Sequence, residues 1–311
     1  MAFKDIIGQE VPKKILRAQI KEHRIAVGYL FYGPEGVGKT RTAKTFVKAI
    51  NCKEAEEDSC DSCQTCKDIE AMRNSDFELI TRPQNAGQSI KIEQIKELKT
   101  RNSYKPIWLK TRVTIIKEAD ELTEESANAL LKILEEPPSQ TIFILTTSKL
   151  DSILPTIKSR CQKIKFRRLN PEEIEEVLHK NNISAKVTPE LSLQANGSVA
   201  RVLKLLSPEN ETIQRTATQF LHRSPLERMQ MIEELDSLET QELLLSIQEL
   251  YVDLLRRKLG VSIKNKRQGL KKELSVEEIL HSITICESAF YAFSRNVHKR
   301  FIFYKLSKEL S

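Results

Sequence analysis

The sequence predicts an α/β protein, a parallel sheet interleaved with helices and followed by an all-helical region. Three observations predict it. Over the first 166 residues short apolar runs alternate with helical patterns, as they do in parallel sheets. A complete glycine-rich loop stands between the first apolar run and the first helical pattern. Beyond Phe166 strand signals nearly cease.

The elements follow in order. Tyr29-Leu30-Phe31-Tyr32 is a short apolar run ending at Gly33, and a helical pattern from Thr40 to Ile50 comes after it. Phe77-Glu78-Leu79-Ile80 is the second run. From Ile90 to Lys99 apolar residues recur at Ile92, Ile95 and Leu98, which is helical spacing. Arg112-Val113-Thr114-Ile115-Ile116 is the third run, followed by a helix through Leu130, Leu131 and Leu134. Pro137-Pro138 stops that helix because proline supplies no backbone donor. Thr141-Ile142-Phe143-Ile144-Leu145 and Gln162 to Phe166 are the fourth and fifth runs. Asn170-Pro171-Glu172-Glu173 then opens a helix, with Asn as cap, Pro in the first turn and acids facing the helix dipole. Ser207-Pro208 reads as a joint. The expected domains are 1–166, with an insertion at 52–66, a small helical domain at 167–207, and a larger helical one at 208–311.

Bulk properties bound the rest. A chain of 311 residues is too long for one ordinary domain. With 40% apolar and 30% charged residues it has the composition of a globular protein and excludes a disordered or fibrous one. No run of 18 apolar residues occurs, and the first residues lack the apolar core of a signal peptide, so the expected address is cytoplasmic, with no membrane partner. A net charge of +7 permits a nucleic-acid partner without requiring one.

Gly33-Pro34-Glu35-Gly36-Val37-Gly38-Lys39-Thr40 is a complete phosphate-binding loop between a strand pattern and a helix pattern. Gly33, Gly36 and Gly38 let the backbone wrap a phosphate, Lys39 reaches the outer phosphates, and the Thr40 hydroxyl can ligate magnesium. ATP is the expected ligand. Four of the six cysteines, Cys52, Cys60, Cys63 and Cys66, crowd into one short stretch, the last three as overlapping C-x-x-C steps. Without a secretion signal that pattern reads as zinc ligation, and four thiolates leave no open position, so the site is expected to be structural. Cys161 and Cys286 stand alone and read as core residues.

The segment Val113 to Asp120 stands where a phosphate-loop ATPase carries its second acidic motif, an apolar strand ending in Asp-Glu. Lys117 occupies the Asp position, and a cation there opposes magnesium. Glu118 keeps the water-polarising position, and Asp120 does the metal-holding job if the register is shifted. The expected site binds ATP and hydrolyses it poorly. Thr147, at the end of the fourth run, is placed to sense the γ-phosphate. Arg160, in Ser159-Arg160-Cys161 on a loop before the fifth run, has a guanidinium able to act on a neighbour's phosphate. Arg256, Arg257, Lys258, Lys264, Lys266, Arg267, Lys271 and Lys272 form a basic stretch that reads first as a solvated helix face and second as a DNA contact.

Together these pieces resemble the AAA+ ATPase-fold subunits of the bacterial DNA polymerase III clamp loader along nearly the full length. The resemblance rests on Phe3-Lys4-Asp5-Ile6-Ile7-Gly8-Gln9-Glu10, the phosphate loop, and Asn51-Cys52 with the cysteine cluster. It continues in Asn128-Ala129-Leu130-Leu131-Lys132-Ile133-Leu134-Glu135-Glu136-Pro137-Pro138 and Thr156-Ile157-Lys158-Ser159-Arg160-Cys161. It implies a helical lid, an all-α collar and work in DNA replication. The implied partners are a gamma/tau-like motor, a delta-like subunit, the sliding clamp transiently, and primer-template DNA through the complex. Ile90 to Leu98, Lys117, and Ala200 where motor subunits keep a nucleotide-sensing Arg favour a delta-prime-like subunit. Arg160 would then serve in trans as an arginine finger. A gamma/tau-like motor and an AAA+ remodeller outside replication are the alternatives.

Overall fold

The computed structural model describes residues 1–83, 89–102, 105–183, 187–188, 191–192, 195–235, 237–260, 274–294 and 297–309. The chain divides into two compact units, one reaching Val202 and the other beginning at Leu203.

Five strands, β1 (Gly28–Tyr32), β2 (Phe77–Ile80), β3 (Arg112–Ile116), β4 (Thr141–Thr147) and β5 (Gln162–Lys165), form one sheet in the order β2-β3-β4-β1-β5. Every pairing is parallel, with Tyr29 opposite Ile144 on one side and Gln162 on the other. Strand side chains alternate between two cores, as the period of a pleated strand requires. Tyr29, Phe31, Val113, Ile115, Ile142 and Ile144 join one cluster, while Leu30, Ile116, Phe143 and Leu145 join the other. Both faces are therefore covered at the middle of the sheet, which is why β1, β3 and β4 read as mostly apolar runs. At one edge β5 exposes Lys163 and Lys165, charges that keep an open edge from pairing with another chain.

The helices of this unit are α1 (Glu10–Lys21), α2 (Lys39–Asn51), α3 (Gln64–Glu70), α4 (Ile92–Asn102), α5 (Glu124–Glu135), α6 (Pro155–Arg160) and α7 (Pro171–Lys180), while α8 (Val199–Leu205) carries the chain across the Val202–Leu203 boundary. Asn170 caps α7 through the Glu173 N–H, with Glu173 returning the bond. Three helices go beyond the expected pattern, one of them α3 within the cysteine stretch. α1 buries Leu16 and Ile20, four residues apart on one face. α6 starts at Pro155, whose fixed φ suits a first helical position, so Arg160 ends a helix instead of lying on a loop. α4 begins later than the periodicity suggests because Ile90 is taken up in a parallel bridge with Leu122.

The second unit is helical: α9 (Pro208–His222), α10 (Pro225–Glu234), α11 (Ser237–Lys258), α12 (Val276–Ser294) and α13 (Lys299–Glu309). Its core gathers Phe220, Ile232, Leu243, Ile247, Tyr251, Ile279, Cys286 and Phe303. Buried Arg228 donates to the carbonyls of Phe220 and Leu221, so its charge lies among helix-end dipoles. Arg256, Arg257 and Lys258 end α11. The rest of the basic stretch, Lys264, Lys266, Arg267, Lys271 and Lys272, lies outside the described residues. Among the described residues no helix is long and apolar enough to cross a membrane.

One buried carboxylate fixes the entry to β3. Asp76, 1% exposed, accepts from the N–H groups of Ile107, Trp108 and Leu109 at 2.8, 2.6 and 3.2 Å. Its other oxygen takes the Arg112 guanidinium at 2.7 Å. Burial alone would raise the Asp76 carboxyl, but Arg112 and the three N–H groups outweigh it and hold its pKa below the ordinary value. Asp76→Ala takes a buried carboxylate away from Arg112 and from three N–H donors, so it is expected to destabilise the chain by about 3–5 kcal/mol at pH 7. Because the folded pKa is depressed, that contribution is present above the unfolded pKa of about 3.9 and fades as pH falls below it. Urea titrations of both chains at pH 7 and pH 3 measure this, and an equal difference at the two pH values would refute it.

Candidate functional site

All five strands point the same way, so their carboxyl ends share one edge of the sheet, where ligands bind in open parallel sheets. The phosphate loop leaves that edge after β1. Gly33 has φ 142° and Gly36 φ 71°, conformations that side chains resist. A Cβ at Gly33 would stand 2.3 Å from the Phe166 carbonyl oxygen, and one at Gly36 would stand 2.1 Å from Ser198 Oγ. The loop is therefore pressed from both sides by its own unit. The Gly33 N–H donates to Thr147 O at 3.3 Å, and the Val199 N–H donates to Gly36 O at 3.2 Å. Ala200 Cβ would lie 2.7 Å from a Gly36 Cβ, so Ala200 sits against the loop.

Lys39 is 9% exposed and folds back, its Nζ donating to Gly33 O and Pro34 O at 2.6 Å each. Burial pulls its pKa down to about 8, against the pull of Glu35, Asp120 and Glu118. Thr40, half-buried, follows in the first turn of α2. Gln9 reaches the loop from the opening segment, its Nε2 donating to Arg167 O at 2.8 Å and meeting Val37 O at 3.4 Å.

At the end of β3 the chain turns through Glu118, in the left-handed region at φ 56°. One Glu118 oxygen faces Lys117 Nζ at 3.1 Å and the other faces Arg82 Nε at 3.4 Å. Thr147 Oγ1 donates to Asp120 Oδ1 at 2.6 Å. The sequence-predicted Thr147 and the alternative acid Asp120 are thus partners, while Glu118 is held by two cations. Arg160 stands apart from this edge. Its guanidinium meets Glu135 Oε1 at 2.6 Å and Thr156 O at 3.1 Å, and its side chain is 38% exposed.

The four cysteines converge. Every Sγ of Cys52, Cys60, Cys63 and Cys66 lies within 4.8 Å of the others, and Cys60 and Cys66 are 4.0 Å apart. Tetrahedral zinc with bonds of about 2.3 Å needs sulfurs about 3.8 Å apart, so the donor set fits with small contraction. The Cys63 N–H donates to Cys60 Sγ at 3.2 Å and the Cys66 N–H donates to Cys63 Sγ at 3.4 Å. Hydrogen bonds from Ser62 and the Cys63 N–H bring the Cys60 thiol down to about 7, toward the thiolate a metal takes. The cluster can hold a structural metal and leaves no thiolate position open for catalysis.

Composition and spacing give no sign of one further group. Buried Lys48 pairs with Asp61 at 2.6 Å and Glu70 at 2.7 Å, both beside the cysteines. Each is an ordinary surface residue type, and only the fold brings them together.

A family profile described as "DNA polymerase III, delta subunit" matches residues 8–170. The delta' subunit of Bacillus subtilis DNA polymerase III is 36% identical over 192 residues, 62% of this chain and 57% of that protein. The tau subunit of the same bacterium is 38% identical over 173 residues, 55% of this chain and 30% of that protein. The match thus spans well under two thirds of these curated relatives. A DNA polymerase III gamma subunit-related protein from Thermotoga maritima has a similar fold, with TM-score 0.51 and 16% identity, covering 96% of this chain and all of the other. The AAA+ phosphate-loop sheet with a helical C-terminal region, expected from the sequence, is the observed fold.

Elemental analysis after exhaustive dialysis is expected to find one zinc per chain, and Cys63→Ser should lose it. Chelation should lower the melting temperature by several degrees, since a closed thiolate site contributes folding energy. A metal-free chain that melts where the untreated one does would refute the site.

Proposed function

The chain belongs to the DNA polymerase III, delta subunit family, and on that premise we propose that it is a delta-prime-like subunit of a bacterial clamp loader. In this reading it works in the cytoplasm, binds ATP through Gly33, Gly36, Gly38, Lys39 and Thr40, and hydrolyses it poorly. Residues 167–207 serve as lid and 208–311 as collar. It assembles with a gamma/tau-like motor and a delta-like subunit, and the complex meets the sliding clamp and primer-template DNA. Zinc held by Cys52, Cys60, Cys63 and Cys66 braces the ATPase domain.

The observation that carries the weak-hydrolysis reading is at the end of β3. Lys117 stands in the metal-holding position and is paired with Glu118, the acid that would polarise water. A cation 3.1 Å from that carboxylate opposes both jobs. Bound ATP would draw Lys39 off Gly33 O and Pro34 O toward its phosphates. Thr147 and Asp120 would face the terminal phosphate. A motor-like reading has its own support in the 38% identity to the tau subunit. ATP binding and turnover on the isolated chain separate the two. Tight binding with slow turnover, raised by Lys117→Asp, is expected; turnover at a motor's rate would sink the delta-prime reading.

Arg160 completes the proposal as an arginine finger acting in trans. Its guanidinium would oppose charge that develops only as the γ-phosphate leaves, an effect of about 10³–10⁵ in rate in other phosphoryl-transfer systems. In a reconstituted complex Arg160→Ala should strongly reduce clamp loading and reduce total ATPase only partly, because other sites keep their fingers. Assembly and zinc content should not change, since an exposed Arg contributes little to stability. Arg160→Lys should rescue poorly, lacking the planar fork. Full activity of Arg160→Ala in both assays would remove the trans role.

A further inference from the structure

Lys48 is 1% exposed, and a buried ammonium persists only where partners compensate its lost hydration. Its partners are Asp61 Oδ1 at 2.6 Å and Glu70 Oε2 at 2.7 Å. Both lie among the cysteines: Asp61 follows Cys60, and Glu70 ends α3, which carries Cys66 and is capped by Cys63. Asp61 adopts φ 58°, a left-handed conformation that a non-glycine residue keeps when its surroundings fix it. Lys48 and Ser59 Oγ, at 3.3 Å, fix its Oδ1, and the Met1 ammonium takes Oδ2 at 2.6 Å. A chain of contacts therefore runs from the Lys48 ammonium through the Asp61 side chain into the stretch between Cys60 and the Cys66 sulfur. Glu70 secures the far end of the short helix that bears that sulfur.

We infer that Lys48 is the positioning residue of the four-cysteine metal site, holding Asp61 and Glu70 so that the sulfurs stay converged for zinc. The inference rests on the zinc reading above. Lys48 touches no sulfur; it acts from the phosphate-loop helix, and so the module is built onto α2 by a buried charge as well as by the chain itself. Groups that orient metal ligands from outside typically change metal affinity 10–100-fold when removed.

The test is zinc affinity of the full-length, zinc-loaded chain, read by competition with a coloured chelator. Lys48→Met is expected to weaken zinc about 10–100-fold and speed its release, while Lys48→Arg recovers most of the loss. Binding of ATP by the same variants should match the wild type, showing that the phosphate loop is intact. If Lys48→Met does not fold, Glu70→Gln, at a carboxylate half in water, takes its place with a several-fold loss expected. Wild-type zinc affinity in Lys48→Met, or in Glu70→Gln where that variant stands in, overturns the positioning role. So does equal loss in the Met and Arg variants, because packing alone would then explain it. A wild-type chain that binds no zinc overturns the zinc reading itself, and that result is distinct from either.

Discussion

Helix α2 is buried along almost its whole length, yet five of its buried side chains are polar: Lys39, Thr42, Thr45, Lys48 and Asn51. Each demands a partner, since a buried polar group left without one costs about 1–3 kcal/mol. They recur at every third position. Three residues advance a helix by about 300°, so each step falls back about 60° and the stripe winds round the axis. Successive members consequently meet different parts of the chain. Lys39 finds the loop carbonyls, Thr45 the Met1 carbonyl, Lys48 the cysteine module, and Asn51 both the N–H and the carbonyl of Thr111. Thr42 Oγ1 has no hydrogen-bond partner among the described residues. The demand of one buried helix for partners thus fixes the phosphate loop at its start and the cysteine module at its end.

The same logic of commitment governs the acids facing Lys39. A low-dielectric site strengthens every charge in it, so what matters is which charges are already engaged. Glu118 is engaged by Lys117 and Arg82, and Asp120 by the Thr147 hydroxyl. Lys39 itself is engaged by carbonyls, which are dipoles and yield to a phosphate carrying full charge. Phosphate binding therefore has a ready donor, whereas metal-assisted hydrolysis would have to draw its carboxylate from the Glu118 ion pairs or from the Thr147 hydroxyl. On the proposed reading that asymmetry is what separates a subunit that holds nucleotide from one that consumes it.

The sheet was readable because both of its faces are buried. Apolar runs such as Ile115-Ile116 and Ile142-Phe143-Ile144 have no polar alternative, and Gly33 to Thr40 admits few backbones. The ends of elements were harder. Ile90 has the right spacing for α4 but is drawn into a bridge with Leu122, a tertiary choice that periodicity does not encode. Arg160 reads as a loop residue because α6 is only as long as its Pro155 start and the onset of β5 allow. The four cysteines were legible from spacing alone. Lys48, Asp61 and Glu70 were not, since charged residues on amphipathic segments normally face water and nothing local marks these as partners. Sequence reveals ligands through their chemistry; what orients them is visible only once distant segments meet.

Arg160 shows how a side chain can be loosely held while its base is rigid. Its carbonyl oxygen and the Cys161 sulfur lie so close to β1 that a Cβ on Gly28 would stand 3.2 and 3.0 Å from them. Cys161 is buried, and β5 begins at once after it. The backbone bearing Arg160 therefore moves only with the sheet that carries the phosphate loop. The guanidinium, by contrast, is held by one half-exposed carboxylate, Glu135, and one helix carbonyl. An exposed pair of that kind is worth roughly 0–1 kcal/mol, little enough for a phosphate's charge to displace. On the proposed reading, a group that acts on another subunit needs both properties. It must be aimed by its own rigid body so that the approach is defined, and it must be released at small expense when the opposing charge arrives.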